Sequence, residues 1–204
     1  MSEGVSVRPA RPEDLGAMAA ILVEGFRHHF EAAFKERVDR AERALARVLA
    51  LETPRGLPGL YVAELHGQVV GTMALRRRED ADIPTLPSTG IFVGELGLFG
   101  GLRAMFYLSL LDQPCGRSDV YVADVAVAGP VRRQGVAQAM LAHAEKIAHL
   151  WKKHRLVLDV EARNEAARQL YRRLGYTEER ERRSLLTRWL LGIETWVRMY
   201  KRLT

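Results

Sequence analysis

The run Arg132-Arg133-Gln134-Gly135-Val136-Ala137 combines formal positive charge with two positions small enough to let a ligand reach the backbone. It follows an apolar, β-branched stretch, Val120 to Val127, that is short for a core helix and suits a buried strand. Gly129-Pro130 ends that strand, because proline has no ladder N–H and glycine permits a sharp turn. Val136, Ala139, Met140 and Ala144 then recur at helical spacing. The unit is strand, basic turn, helix N-terminus. The first N–H groups of a helix lack internal partners and the peptide dipoles add partial positive charge there, so such an end can seat a phosphate. Arg132 and Arg133 add charge, while Gly135 and Ala137 keep the approach open to a pyrophosphate. Taken alone, the segment is equally an ordinary strand-to-helix turn with solvated arginines.

A second unit follows. Arg155 to Glu161 alternates as a strand, and Asn164 to Tyr176 reads as a helix with Asn164 at its N-cap and Gly175 at its C-terminal stop. At this point the chain resembles the GNAT superfamily of CoA-dependent N-acetyltransferases. The family's Arg/Gln-x-x-Gly-x-Gly/Ala motif is matched by Arg132 to Ala137. Its later Asn-x-x-Ala-x-x-x-Tyr-x-x-x-Gly-Phe/Tyr pattern is matched by Asn164, Ala167, Tyr171, Gly175 and Tyr176.

The resemblance implies an α/β (α+β) fold with a mixed, mostly antiparallel central sheet flanked by helices. It implies acetyl-CoA as acyl donor and a primary amine as acceptor, joined by direct attack in a ternary complex. Arg132, Arg133, Gln134, Gly135, Val136, Ala137 and Gln138 would hold the pyrophosphate. Backbone groups at Val125, Ala126 and Val127 would hold the thioester arm, with Asn164 contacting it, although the N-cap role explains Asn164 equally well. Tyr171 corresponds to the family tyrosine near the cofactor sulfur and would protonate the leaving thiolate; a helical tyrosine is otherwise a packing residue. Relatives often carry a carboxylate on the central strand where this chain has Ala123. Asp124 is the nearest candidate base, and strand alternation turns it to the other face unless the strand bulges. Glu95 is a further candidate, and deprotonation through ordered water needs no dedicated base. No covalent nucleophile and no metal are implied.

Composition sets outer limits. A chain of 204 residues fits one domain, 1–204, and 48% hydrophobic with 27% charged residues is a soluble globular balance. Cys115 is the single cysteine, which excludes an intramolecular disulfide and a cysteine-based zinc site. With a polar, charged N-terminus, this points to the cytoplasm. The net charge of +6 raises nucleic acid as a partner, but the arginines are spread along helices, and no nucleic-acid partner is expected.

Earlier in the chain, Val5 to Arg8 reads as a strand and Arg11-Pro12 opens a helix with apolar positions Leu15, Met18, Ala19, Leu22 and Phe26. Phe30 to Leu51 reads as a second helical region. The family's acceptor site borders the join, which makes Phe26, His28, His29 and Phe30 candidates for substrate contact as well as for packing. Leu60 to Leu65 and Gln68 to Leu75 form a hairpin. Glu178 to Arg183, mixed in sign, reads as a solvated segment, and Gly192 to Leu203 as a final strand.

The departure from the family is an insertion at about 78–118. Its apolar run, Gly90 to Leu111, approaches the length of a membrane span. Glu95, Arg103 and its glycines argue for inserted helices over the acceptor side instead, with no membrane association. A homodimer through the insertion or the last strand is compatible with this layout. Rival assignments are a catalytically silent acyl-CoA-binding or regulatory module, favoured by Ala123, and a basic nucleic-acid-binding protein.

Overall fold

A computed structural model describes residues 4–34, 40–51, 59–80, 91, 94, 115–183 and 195–203. Its strands are β1 (Val5–Pro9), β2 (Leu60–Leu65), β3 (Gln68–Arg76), β4 (Asp119–Val127), β5 (Arg155–Glu161), β6 (Thr177–Arg183) and β7 (Thr195–Arg202). Its helices are α1 (Leu15–Gly25), α2 (Arg27–Phe34), α3 (Ala41–Leu51), α4 (Val136–Leu150) and α5 (Glu165–Arg173). Among the described residues the strands form one sheet in the order β1-β2-β3-β4-β5-β7-β6. Every neighbouring pair is antiparallel except β4 and β5, which run parallel. This is the mixed, mostly antiparallel sheet that the motifs imply.

Helices cover both faces, which is why β3 is buried along most of its length. On one side α4 buries Val136, Met140, Ala144 and Ala148, one residue per turn, against Met73, Leu75, Val120, Val122, Leu156 and Leu158. On the other side Leu15 and Met18 of α1 pack with Leu49 of α3 on Val62, and Ile21 and Leu22 pack on Ala126. The shared sheet therefore fixes α1 and the start of α4 relative to the end of β4.

Two sequence expectations change. The helical region from Phe30 to Leu51 is two helices, α2 and α3, with residues 35–39 between them outside the described set. The Glu178–Arg183 segment is part of strand β6, and every residue of β6 is exposed. Its hydrogen bonds come from β7, so pairing persists without an apolar face. Most of the 78–118 insertion, Glu95 included, lies outside the described residues. Its two flanks meet at Lys153, whose Nζ donates to Glu79 Oε1 (2.7 Å) and to the carbonyl of Arg117 (2.8 Å). No helix among the described residues is long and apolar enough to cross a membrane.

The N-terminal strand is tied to α1 by charge. Asp14, 4% exposed, accepts two hydrogen bonds from the Arg8 guanidinium (2.7 and 3.0 Å) and one from the Arg11 N–H (2.7 Å). These bonds, Arg8 foremost, hold its carboxyl below the ordinary value of 3.8. A depressed folded pKa gives stability that is full above the unfolded value and is lost as pH falls through the folded one. Asp14→Asn should therefore cost about 2 kcal/mol at neutral pH. The gap between wild type and variant should close on acidification below about pH 4. Thermal unfolding of both proteins from pH 7 to 2.5 checks this; a constant gap would remove Asp14 as its source.

Candidate functional site

The parallel ladder between β4 and β5 is short. It joins Asp119 to Arg155, Val120 to Leu156 and Tyr121 to Val157, then stops, although β4 continues to Val127 and β5 to Glu161. Their outer edges stay paired, β4 with β3 out to Val127 and β5 with β7 out to Glu161. The sheet is split between two intact strands rather than frayed. Backbone groups of β4 beyond Tyr121 that point into the split have no strand partner there.

The cause lies in β4 itself. Opposite β3 the register steps from Thr72↔Ala126 to Ala74↔Ala123, so Asp124 and Val125 together face Met73. Asp124 takes the left-handed conformation, φ 56°, which aspartate tolerates better than most residues. A bulge bends its strand and raises the local twist, turning the end of β4 away from β5. The uniform alternation assumed for Asp124 thus fails. Its half-exposed carboxylate lies 3.2 Å from an Arg76 nitrogen on the neighbouring strand.

Beyond the bulge, β4 leads into a 3-10 turn, Gly129–Val131, and then α4. Gly135 is the N-cap at φ 83°, and Arg133 is also left-handed at φ 65°. The first N–H of this helix end to meet a backbone carbonyl is that of Ala139, which donates to Gly135 O (2.9 Å). The N–H groups of Val136, Ala137 and Gln138 precede it and are the unpartnered donors of the helix start. Both arginines of the motif are exposed, and Arg132 donates from Nε to Val127 O (3.0 Å) and from a terminal nitrogen to Glu24 Oε1 (3.0 Å). Arg132 therefore braces the turn as it stands. Gln134 donates to Pro130 O (3.3 Å).

After β5, Asn164 caps α5, its side-chain oxygen accepting from the Ala167 N–H (3.1 Å). Tyr171 is partly buried, its ring tilted against Tyr176 with centroids 5.7 Å apart. Burial pushes its hydroxyl up to about 12. At neutral pH the group is a proton donor.

Phe26 closes α1 and packs with Ile21 and Leu22 against Ala126, while Phe30 is buried at 6% exposure. His28 is exposed, with Nδ1 3.6 Å from Glu31. The structure thus brings Phe26 onto β4, beside Ala126.

Two further groups escape sequence reasoning. Asp159 on β5 accepts two hydrogen bonds from Arg198 on β7 (3.0 and 2.7 Å) and one from the Tyr121 hydroxyl (3.2 Å). Tyr121 is the last residue of β4 paired with β5, so this cluster braces the apex of the split; burial, then Asp159, raises the Tyr121 hydroxyl well above its ordinary range. Glu24, at the end of α1, accepts from the Gly129 N–H (3.1 Å) as well as from Arg132. Neither has a local sequence signature, because the partners lie far apart in the chain. No cluster of metal-ligating side chains occurs among the described residues.

The residues present fit an elongated acyl-CoA: a split sheet with free backbone donors leads directly into a helix start with free N–H groups. The comparisons agree. The model of the acetyltransferase (GNAT) family matches residues 20–176. Among solved structures, one reported simply as an acetyltransferase is 22% identical, covers 98% of this chain and 100% of its own, and superposes with a TM-score of 0.71. The ribosomal-protein-alanine N-acetyltransferase of Brucella melitensis is 25% identical over 97% of this chain and 99% of its own, at a TM-score of 0.60. The yncA protein of Salmonella typhimurium, solved with its cofactor acetyl-CoA, is 19% identical over 99% and 95%, at 0.62. No curated protein matches the chain. The family match spans the strand, turn and helix of the split and both motifs: the chain is an acyltransferase and belongs to the GNAT acetyltransferase family.

Proposed function

We propose that this protein transfers the acetyl group of acetyl-CoA to a primary amine by direct attack in a ternary complex. The observation that carries the proposal is the split between β4 and β5, continuous with the unpartnered N-terminus of α4. When bound, acetyl-CoA supplies the acetyl group as a thioester, activated toward amines. Backbone groups at Val125 to Val127 line the split and orient the arm. N–H groups from Gly135 to Gln138, with exposed Arg133, hold the pyrophosphate. The Tyr171 hydroxyl, protonated at neutral pH, donates to the departing sulfur. Asn164 spends its oxygen on its helix cap and keeps its amide nitrogen for the arm.

The amine must lose a proton before attack. Asp124 is the described carboxylate nearest the bulge, but Arg76 engages it; Glu95 and a water route remain alternatives for this step. Phe26, beside Ala126, contributes apolar surface to the acceptor side, and buried Phe30 supports it from the next turn. The free thiol of Cys115 suits a cytoplasmic protein. A second reading, a silent acyl-CoA-binding module, draws on Ala123 and on the engagement of Asp124 by Arg76. Release of CoA thiol, followed for purified protein with acetyl-CoA and a panel of small amines, amino acids and peptides, separates them. Acceptor-dependent release supports transfer; tight acetyl-CoA binding with no release across the panel supports the silent module.

A further inference from the structure

The carboxylate of Glu24 reaches from the last turn of α1 to the turn that introduces the phosphate-binding helix. It accepts the Gly129 N–H through both oxygens (3.1 and 3.3 Å) and takes one Arg132 nitrogen at 3.0 Å, while Arg132 Nε holds the end of β4 at Val127 O. The neighbouring residues leave room for this contact and for no more. A Cβ on Gly129 would lie 2.6 Å from Glu24 Oε1, so only glycine there admits the carboxylate. A Cβ on Gly25 would lie 3.0 Å from that of Ala126, so the end of α1 rests directly on the arm-binding stretch. One helix end is thus fastened at two points to the segment that runs from the split to the phosphate cradle.

From this geometry we infer that Glu24 is a positioning residue for the cofactor site, holding the turn at Gly129 to Arg132 in the shape that presents the N-terminus of α4. The inference rests on the acetyl-CoA reading given above. Two effects of the carboxylate oppose each other. Its negative charge near a pyrophosphate disfavours binding, whereas its hydrogen bonds order the turn beforehand. Positioning outweighs repulsion because the contact is threefold and the side chain is half-exposed, 41%, where solvent weakens charge effects.

Substitutions at Glu24 and Gly129 separate the two effects. Glu24→Gln keeps an oxygen for the Gly129 N–H and removes the charge; Glu24→Ala removes both; Gly129→Ala keeps the charge and displaces the carboxylate. Calorimetric titration with acetyl-CoA and with free CoA, beside thermal unfolding of each variant, should show Glu24→Ala and Gly129→Ala weakened about fivefold and Glu24→Gln within about twofold of wild type. Melting temperatures should stay close to wild type. Tighter binding by both Glu24 variants would overturn the inference in favour of simple charge repulsion. Weakening only in proportion to lost thermal stability would overturn it in favour of a general structural role. Binding by wild type with Glu24→Ala unaffected removes this inference alone, and no binding by wild type removes the acetyl-CoA reading with it.

Discussion

Gly135→Glu should abolish acetyl-CoA binding while leaving a folded protein. Gly135 caps α4 in the left-handed region at φ 83°, where a side chain costs about 1–2 kcal/mol. That strain is tolerable for a domain of this size, but it is the smaller part of the effect. The new carboxylate arrives at the positive end of the helix and competes for the N–H groups of Val136, Ala137 and Gln138, repelling the phosphates they would hold. Losing several charge-assisted hydrogen bonds at once corresponds to an affinity drop of about a hundredfold or more. Gly135→Asn is the matched control, because asparagine accepts the left-handed backbone without adding charge; it should fold and lose far less affinity. Calorimetry on the three proteins checks this. Equal affinity in wild type and Gly135→Glu would place the phosphates elsewhere.

The second large effect concerns turnover rather than binding. Tyr171→Phe keeps the ring that packs against Tyr176 and removes the hydroxyl. If that hydroxyl protonates the leaving thiolate, kcat should fall about a hundredfold, with acetyl-CoA affinity unchanged within about threefold. The pH profile adds a separate signature. An acid must be protonated to act, and burial has pushed this one up to about 12, so its activity is lost only as pH rises through that value. The attacking amine, in contrast, must be neutral. Wild-type kcat should therefore climb with pH through the amine's own titration and show no falling limb below about pH 10. Steady-state rates from pH 6 to 10 on both proteins test the assignment. A falling limb near neutrality, or a Tyr171→Phe variant as fast as wild type, would leave Tyr171 a packing residue.

Strand, turn and helix at the centre of this site were legible because each boundary has a local cause. Gly129-Pro130 stops β4, Gly135 and the apolar spacing from Val136 start α4, and Asn164 caps α5. What escaped depends on partners remote in the chain. The bulge at Asp124 is a property of two strands in register, invisible to alternation within one. β6 carries no apolar pattern because neither face is covered, and its partner is supplied by β7. The charge of Arg132 is legible locally, while the carboxylate it meets in the fold, Glu24, lies on the first helix. Buried charge pairs such as Asp159 with Arg198 have the same origin. Sequence periodicity reports what a residue packs on, and says little about which distant group a polar atom will meet.

The split between β4 and β5 also bears on how such a protein can change over time. Its walls present amides and carbonyls that every amino acid except proline supplies alike, and its geometry follows from one bulge and two well-paired outer edges. On the proposed reading, donor recognition stored in main-chain architecture is insulated from most point mutations along those walls. Side chains facing the acceptor are free to diversify, so a lineage can acquire new amines while inheriting the same acyl source.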